Sequence, residues 1–131
     1  MSDLIKQRPK FLTLTEIRLP LPGVASILHR ISGAGMFLLL PVLIWLLQGS
    51  LDTTTEGVAA FATVIDNWCV RLVLFGLIWA FLHHFCMGIR LLLIDLHIGV
   101  DKAPAQASAK AVFAISLALT AAFGLKLFGV Y

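Results

Sequence analysis

The sequence predicts an all-α membrane protein built on three spanning helices. Its 131 residues are 60% hydrophobic and only 13% charged, with a mean hydropathy of +0.96, whereas soluble domains carry about 25% charged residues. Ile31 to Leu51 and Leu72 to Ile89 contain no charged residue, and Ala111 to Tyr131 is interrupted only by Lys126. Each of these windows approaches the roughly 20 apolar residues that cross a bilayer core of about 30 Å. The charges lie between them. Lys6, Arg8, Lys10, Arg18 and Arg30 precede or open the first window, and Arg90, Lys102 and Lys110 lie between the second and third. Asp52, Glu56 and Asp66 separate the first from the second, with Arg71 as the one base. The positive-inside bias therefore places the N-terminus and the second connection in the cytoplasm. The net charge of +3 is spent on the flanks of the spans, so no nucleic-acid partner is implied.

The chain reads as a single membrane-anchor domain over 1–131. Residues 1–21 form a polar cytoplasmic arm, kept out of regular helix by Arg8-Pro9 and Pro20-Leu-Pro22, because proline removes a donor and restrains its predecessor. The first helix is expected over about 22–49, with Pro22 in its opening turn and Pro41 bending it. About thirty polar and mixed residues precede its charge-free stretch, so a cleaved signal peptide is not expected. Asp52 to Glu56 reads as a short outer loop. The second helix is placed over about 63–97, with Gly99 and Pro104 as its stop. A polar hinge, DKAPAQASAK, then leads to a third helix over about 108–130. Three helices enclose little, so a second membrane subunit is expected to pack against them. Cys69 and Cys86 lack metal or disulfide spacing and read as small apolar fillers.

Two clusters carry chemistry. Ser26, His29, Arg30 and Gly33 share one arc of the first helix, since i, i+3 and i+4 are neighbours. Arg30 sits at the hydrocarbon boundary, and one reading is that it snorkels to the headgroups. The other is a quinone site. A hydroxyl and a guanidinium are both donors for a quinone oxygen, and a fixed cation stabilises that oxygen as it gains negative charge. Gly33 and Gly35 leave room for a flat ring or another helix.

The second cluster lies in FLHHFCMGIRLLLID. His84 is deep in the second span, where an ionisable residue is a functional candidate. It reads either as a haem ligand or as a group bonded to a neighbouring helix. Gly88, one turn on, clears space for a porphyrin edge. His83 points about 100° away and reads as packing, and His97 as an interfacial residue. Asp95 returns to the His84 face roughly 16 Å further along. Its roles are an ion pair with Arg30 or Arg90, proton delivery to a quinone, or a plain interfacial salt bridge.

Arg8-Pro9, SILHRISG at Ser26–Gly33, the spacing of His84, Gly88 and Arg90, and Asp95 together give the chain a family likeness. It resembles the cytochrome b subunits of succinate dehydrogenase, the larger membrane anchors of respiratory complex II, over nearly its whole length. The resemblance implies a non-dehydrogenase subunit of a succinate:ubiquinone oxidoreductase, bound to a flavoprotein and an iron–sulfur protein on the cytoplasmic face. It implies that Ser26 and Arg30 bind ubiquinone, that His84 is one axial ligand of a haem b, and that His29 and Arg30 lie near the haem propionates. The second axial histidine would come from a second small anchor subunit, since two imidazoles on one iron require two facing helices. A bacterial inner membrane is favoured over a mitochondrial one. Two other readings stand beside it: an anchor of a quinol:fumarate reductase, and a structural anchor without cofactor.

Overall fold

The computed structural model describes residues 17–130; the cytoplasmic arm expected over 1–21 lies outside the described residues apart from its last few. Those residues form four helices and no strand: α1 Leu21–Ser50, α2 Thr55–Asp66, α3 Trp68–Asp95 and α4 Lys102–Leu127. Three of them, α1, α3 and α4, are long and apolar enough to span a membrane. The first opens as the sequence suggests: the Pro20 carbonyl receives the N–H groups of Gly23 and Val24, Pro22 sits in the first turn, and the helix continues through Pro41.

Two connections differ from the expectation. The outer loop is confined to residues 51–54, and a separate helix, α2, follows it. Asp52 Oδ1 accepts from both the N–H and the hydroxyl of Thr54, and Thr54 Oγ1 in turn accepts from Gly57 N–H. This chain of caps satisfies the free donors of a helix start. α2 ends at Asp66 because Asn67 is extended, and the Asn67 side chain then accepts from Cys69 and Val70 N–H to start α3. The second span therefore begins at Trp68, not Thr63. Arg71 ties the break shut, bonding the Ile65 carbonyl and the Asp66 carboxylate.

The polar hinge is also shorter than expected. α3 closes with His97 in the left-handed region at φ 61°, its N–H bonded to the Ile94 carbonyl and that of Ile98 to Leu93. Glycine usually takes such a position. α4 begins at Lys102, and Pro104 lies in its first turn, where proline removes only a donor that has no partner anyway. Pro104 is thus a helix opening and not a stop.

The centre of the bundle is small. α3 packs against both α1 and α4, and α1 meets α4 over less surface. Ala25, Met87, Ala109 and Val112 form the buried apolar core. α4 buries Ala109, Val112, Ser116, Thr120 and Gly124, a stripe of small residues that lets two backbones approach closely. Phe75 of α3 lies over Gly124, where no β-carbon would fit. Ser116 and Thr120 donate to the carbonyls of Phe113 and Ser116, so their hydroxyls are satisfied within their own helix. Most large apolar side chains instead face outward, the surface expected of helices immersed in lipid or covered by another membrane subunit.

Candidate functional site

Near the basic end of the bundle, α1 and α3 bring two imidazoles together. The rings of His29 and His84 stack with centroids 4.0 Å apart and planes inclined by 14°. His84 Nδ1 lies 3.0 Å from the His29 carbonyl oxygen. A carbonyl only accepts, so Nδ1 carries the proton and Nε2 the lone pair. Ser32 Oγ donates to the same carbonyl at 2.9 Å and flanks His84 Nδ1 at 3.3 Å. Among the described residues Nε2 of His84 makes no hydrogen bond, and it is not one of the buried unpartnered atoms, so it keeps some exposure.

Gly33 makes this placement feasible. A β-carbon there would stand 2.8 Å from His84 Cε1 and 3.3 Å from Nδ1. The imidazole therefore rests on bare α1 backbone. Ser32 also lines an apolar cleft of about 390 Å³ with Leu28, Ile31, Gly35, Gly76 and Trp79. A β-carbon at Gly35 or Gly76 would meet nothing within 4 Å. Ser32, which flanks His84, thus also borders open, apolar space. Gly88 is less confined: its β-carbon would reach only His29 Nε2, at 4.0 Å.

The adjacent His83 also bonds an α1 carbonyl but is sealed in the core. It is completely buried, donates from Nε2 to the Ala25 carbonyl at 3.2 Å, and lies against the rings of Trp79 and Phe113. It is a packing residue that joins three helices. Its Nδ1 and the indole N–H of Trp79 are buried without a partner.

The arc of Ser26, His29, Arg30 and Gly33 straddles the edge of the α1–α3 contact. His29 and Gly33 turn toward α3, Ser26 is half-buried, and Arg30 is exposed and makes no ion pair among the described residues. Asp95 and His97 are also exposed. No ion pair joins Asp95 to Arg30 or Arg90; the one among the described residues is Arg71–Asp66, at the opposite end. Arg90 instead turns inward to α4. Ser32 and the inward role of Arg90 are the site features that sequence reasoning missed. Ser32 lies three residues after His29, but its bond to a histidine 52 positions away has no local signature.

The comparisons bear on the family. A family model described as "Succinate dehydrogenase/Fumarate reductase transmembrane subunit" matches residues 5–123. The chain belongs to this family. The succinate dehydrogenase cytochrome b556 subunit of Paracoccus denitrificans is 32% identical over 121 residues, 91% of this chain and 92% of that protein. The subunits of the same name from Coxiella burnetii and Rickettsia felis are 31% identical over 110 residues and 28% identical over 120. The Coxiella match covers 84% of this chain and 88% of its relative, and the Rickettsia match 91% and 92%. As a succinate dehydrogenase/fumarate reductase transmembrane subunit, the chain presents α1, α3 and α4 to the membrane and gathers His29, His83 and His84, three of its four histidines, at the α1–α3 contact. Among the described residues no group of three or more His, Cys, Asp or Glu could hold a metal alone.

Proposed function

We propose that this subunit anchors a succinate:ubiquinone oxidoreductase in a bacterial cytoplasmic membrane, supplies one axial ligand of a haem b through His84, and contributes Ser26 and Arg30 to a ubiquinone site. One observation carries the reading. His84 is seated on Gly33 with its Nδ1–H bonded to the His29 carbonyl, which leaves the lone pair on Nε2, unpartnered among the described residues, for a metal. Such a bond fixes the tautomer and orientation of metal-binding histidines. The second axial imidazole comes from a second small anchor subunit, which covers the outward face of α1 and α3. The haem, when bound, supplies a one-electron store beside the quinone.

The remaining steps fall to the chain's own side chains. His29 and Ser32 hold the His84 ring still. Ser26 and Arg30, one helical turn apart, offer a hydroxyl and a guanidinium to a quinone oxygen, and the exposed cation of Arg30 stabilises the charge that oxygen gains. His29 and Arg30 also face the haem propionates. Asp95, exposed near the same end, delivers protons to the quinone or pairs with a basic group of a neighbouring subunit. Arg18, Arg30, Arg90, Lys102 and Lys110 mark this end as cytoplasmic, where the flavoprotein and iron–sulfur subunits dock. The relatives' names favour succinate oxidation over fumarate reduction. A cofactor-free anchor would leave Arg30 and the open His84 nitrogen costly to the membrane with nothing gained.

The test is a visible difference spectrum of the complex purified from its own membranes, with ubiquinone reduction measured alongside. A b-type band on adding succinate supports the reading. A band with dithionite alone keeps the haem but leaves the donor and the direction of electron flow open, and no band with partners bound returns the structural anchor. Arg30→Leu is expected to slow ubiquinone reduction by roughly 100-fold, the effect of removing one donor to a developing oxyanion. A normal rate removes Arg30 from the quinone site.

A further inference from the structure

Arg90 is a permanent cation sealed inside the bundle, and among the described residues its charge has no counter-ion. It is 7% exposed. Its Nε donates to Ser108 Oγ at 2.9 Å, one Nη to the Ala105 carbonyl at 3.2 Å, and the other to Met87 Sδ at 3.7 Å. All three acceptors are neutral. Asp95, the nearest carboxylate along the helix, is exposed and pairs with no group among the described residues. A buried charge ordinarily pairs with an opposite one, because desolvation without a partner is costly. Hydrogen bonds to a hydroxyl, a carbonyl and a thioether satisfy the donors and leave the charge uncancelled.

Arg90 follows His84 by six residues on α3, a rise of about 9 Å along the helix axis. The side chain leaves α3 toward α4, so the charge stands at least about that far from His84; in a medium shielded from water a full positive charge still acts on a group whose own charge changes. An electron arriving at a haem is such a change, and burial and nearby charge are among the levers that set a haem potential. We propose that Arg90 is an electrostatic tuning residue, whose uncancelled buried charge raises the midpoint potential of the haem held at His84. The inference rests on the assignment of His84 as a haem ligand. Arg90 bonds neither the haem ligand nor the quinone residues among the described contacts; its hydrogen bonds run to Ser108 and Ala105 of α4 and to Met87 of its own helix. Its action is through space.

The test is an optical redox titration of the b-type band in the intact purified complex. Arg90→Gln is expected to shift the ratio of reduced to oxidised haem roughly tenfold toward oxidised at the wild-type midpoint, the scale of one charge at about 10 Å and an effective dielectric of about 20. Arg90→Lys keeps the charge and is expected to restore most of the potential. Arg90→Gln removes a link between α3 and α4 and so risks assembly. Ser108→Asp is therefore the second variant: it sets a carboxylate against Nε, cancelling the charge while keeping the link, and is expected to lower the midpoint as well. A wild-type midpoint in haem-loaded Ser108→Asp or Arg90→Gln overturns the proposal. An equal fall in Arg90→Lys also overturns it, since packing and not charge would then be responsible. A wild-type complex with no haem band overturns the His84 assignment itself, an outcome distinct from an unmoved potential.

Discussion

The α3–α4 seam and the α1–α3 contact are built from similar materials to opposite ends. Along the seam, Ser116 and Thr120 spend their hydroxyls on carbonyls of their own helix, and Phe75 fills the space above Gly124. Toward the basic end Arg90 does reach across the seam, to Ser108 and Ala105, and there too each bond ends on a partner within the chain. Across the α1–α3 contact the polar bonds pass from one helix to the other, His83 to Ala25 and His84 to His29, and valence remains at the end of them: the Nε2 of His84 and the guanidinium of Arg30. A seam closed on itself serves packing. A contact that orients a group and leaves it open serves a further molecule. α4 accordingly buries 28% of its most apolar stretch within the chain, against 11% for α1 and for α3.

Substitutions at one glycine in each region break this comparison from both sides. Gly124→Ala puts a methyl group into the Phe75 ring, and the resulting overpacking is expected to cost about 1–3 kcal/mol. The complex should unfold at lower temperature while its haem band keeps position and intensity. Gly33→Ala does the reverse. Its methyl group would meet His84 Cε1 at 2.8 Å, and the ring must move. Haem content per complex is expected to fall, on the order of 10-fold in affinity as for loss of a group that orients a metal ligand, with a smaller change in thermal stability. Equal haem loss from both variants would erase the distinction between seam and site.

The smallest effect belongs to the outer turn, remote from both. The N–H of Thr54, and then its hydroxyl, hold the Asp52 carboxyl below the ordinary carboxylate range. A group whose folded pKa is depressed contributes stability above its unfolded value, about 3.9 for Asp, and loses it as pH falls through the folded value. Asp52→Asn should therefore flatten a slight decline in thermal stability below about pH 4, and a decline identical to wild type would detach Asp52 from it.

Much of this was legible in the sequence, for physical reasons that can be named. Uncharged windows long enough to span a bilayer gave α1, α3 and α4, because lipid admits few alternatives. The depth of His84 and the absence of a side chain at Gly33 were visible as well. The helix α2 was not, because the second span expected from Thr63 covers only its last turn and the preceding residues form no span-length apolar run; the caps at Thr54 and Asn67 are the signals that mark its ends. Pro104 followed a glycine and read as a stop, although proline serves equally in a first turn. The arc from Ser26 to Gly33 was found correctly on one helix, but which part of it faces α3 depends on a partner 50 residues away. For the same reason Arg90 and Asp95 could be paired on paper, while in the structure Arg90 turns to Ser108.

The central claim is that two neighbouring histidines divide the work, His83 packing and His84 ligating. The most direct test compares reduced-minus-oxidised spectra of the intact complex carrying His84→Ala and His83→Ala. The account predicts that the b-type band disappears in the first and survives in the second. A band that persists in assembled His84→Ala, or vanishes only in His83→Ala, would contradict it.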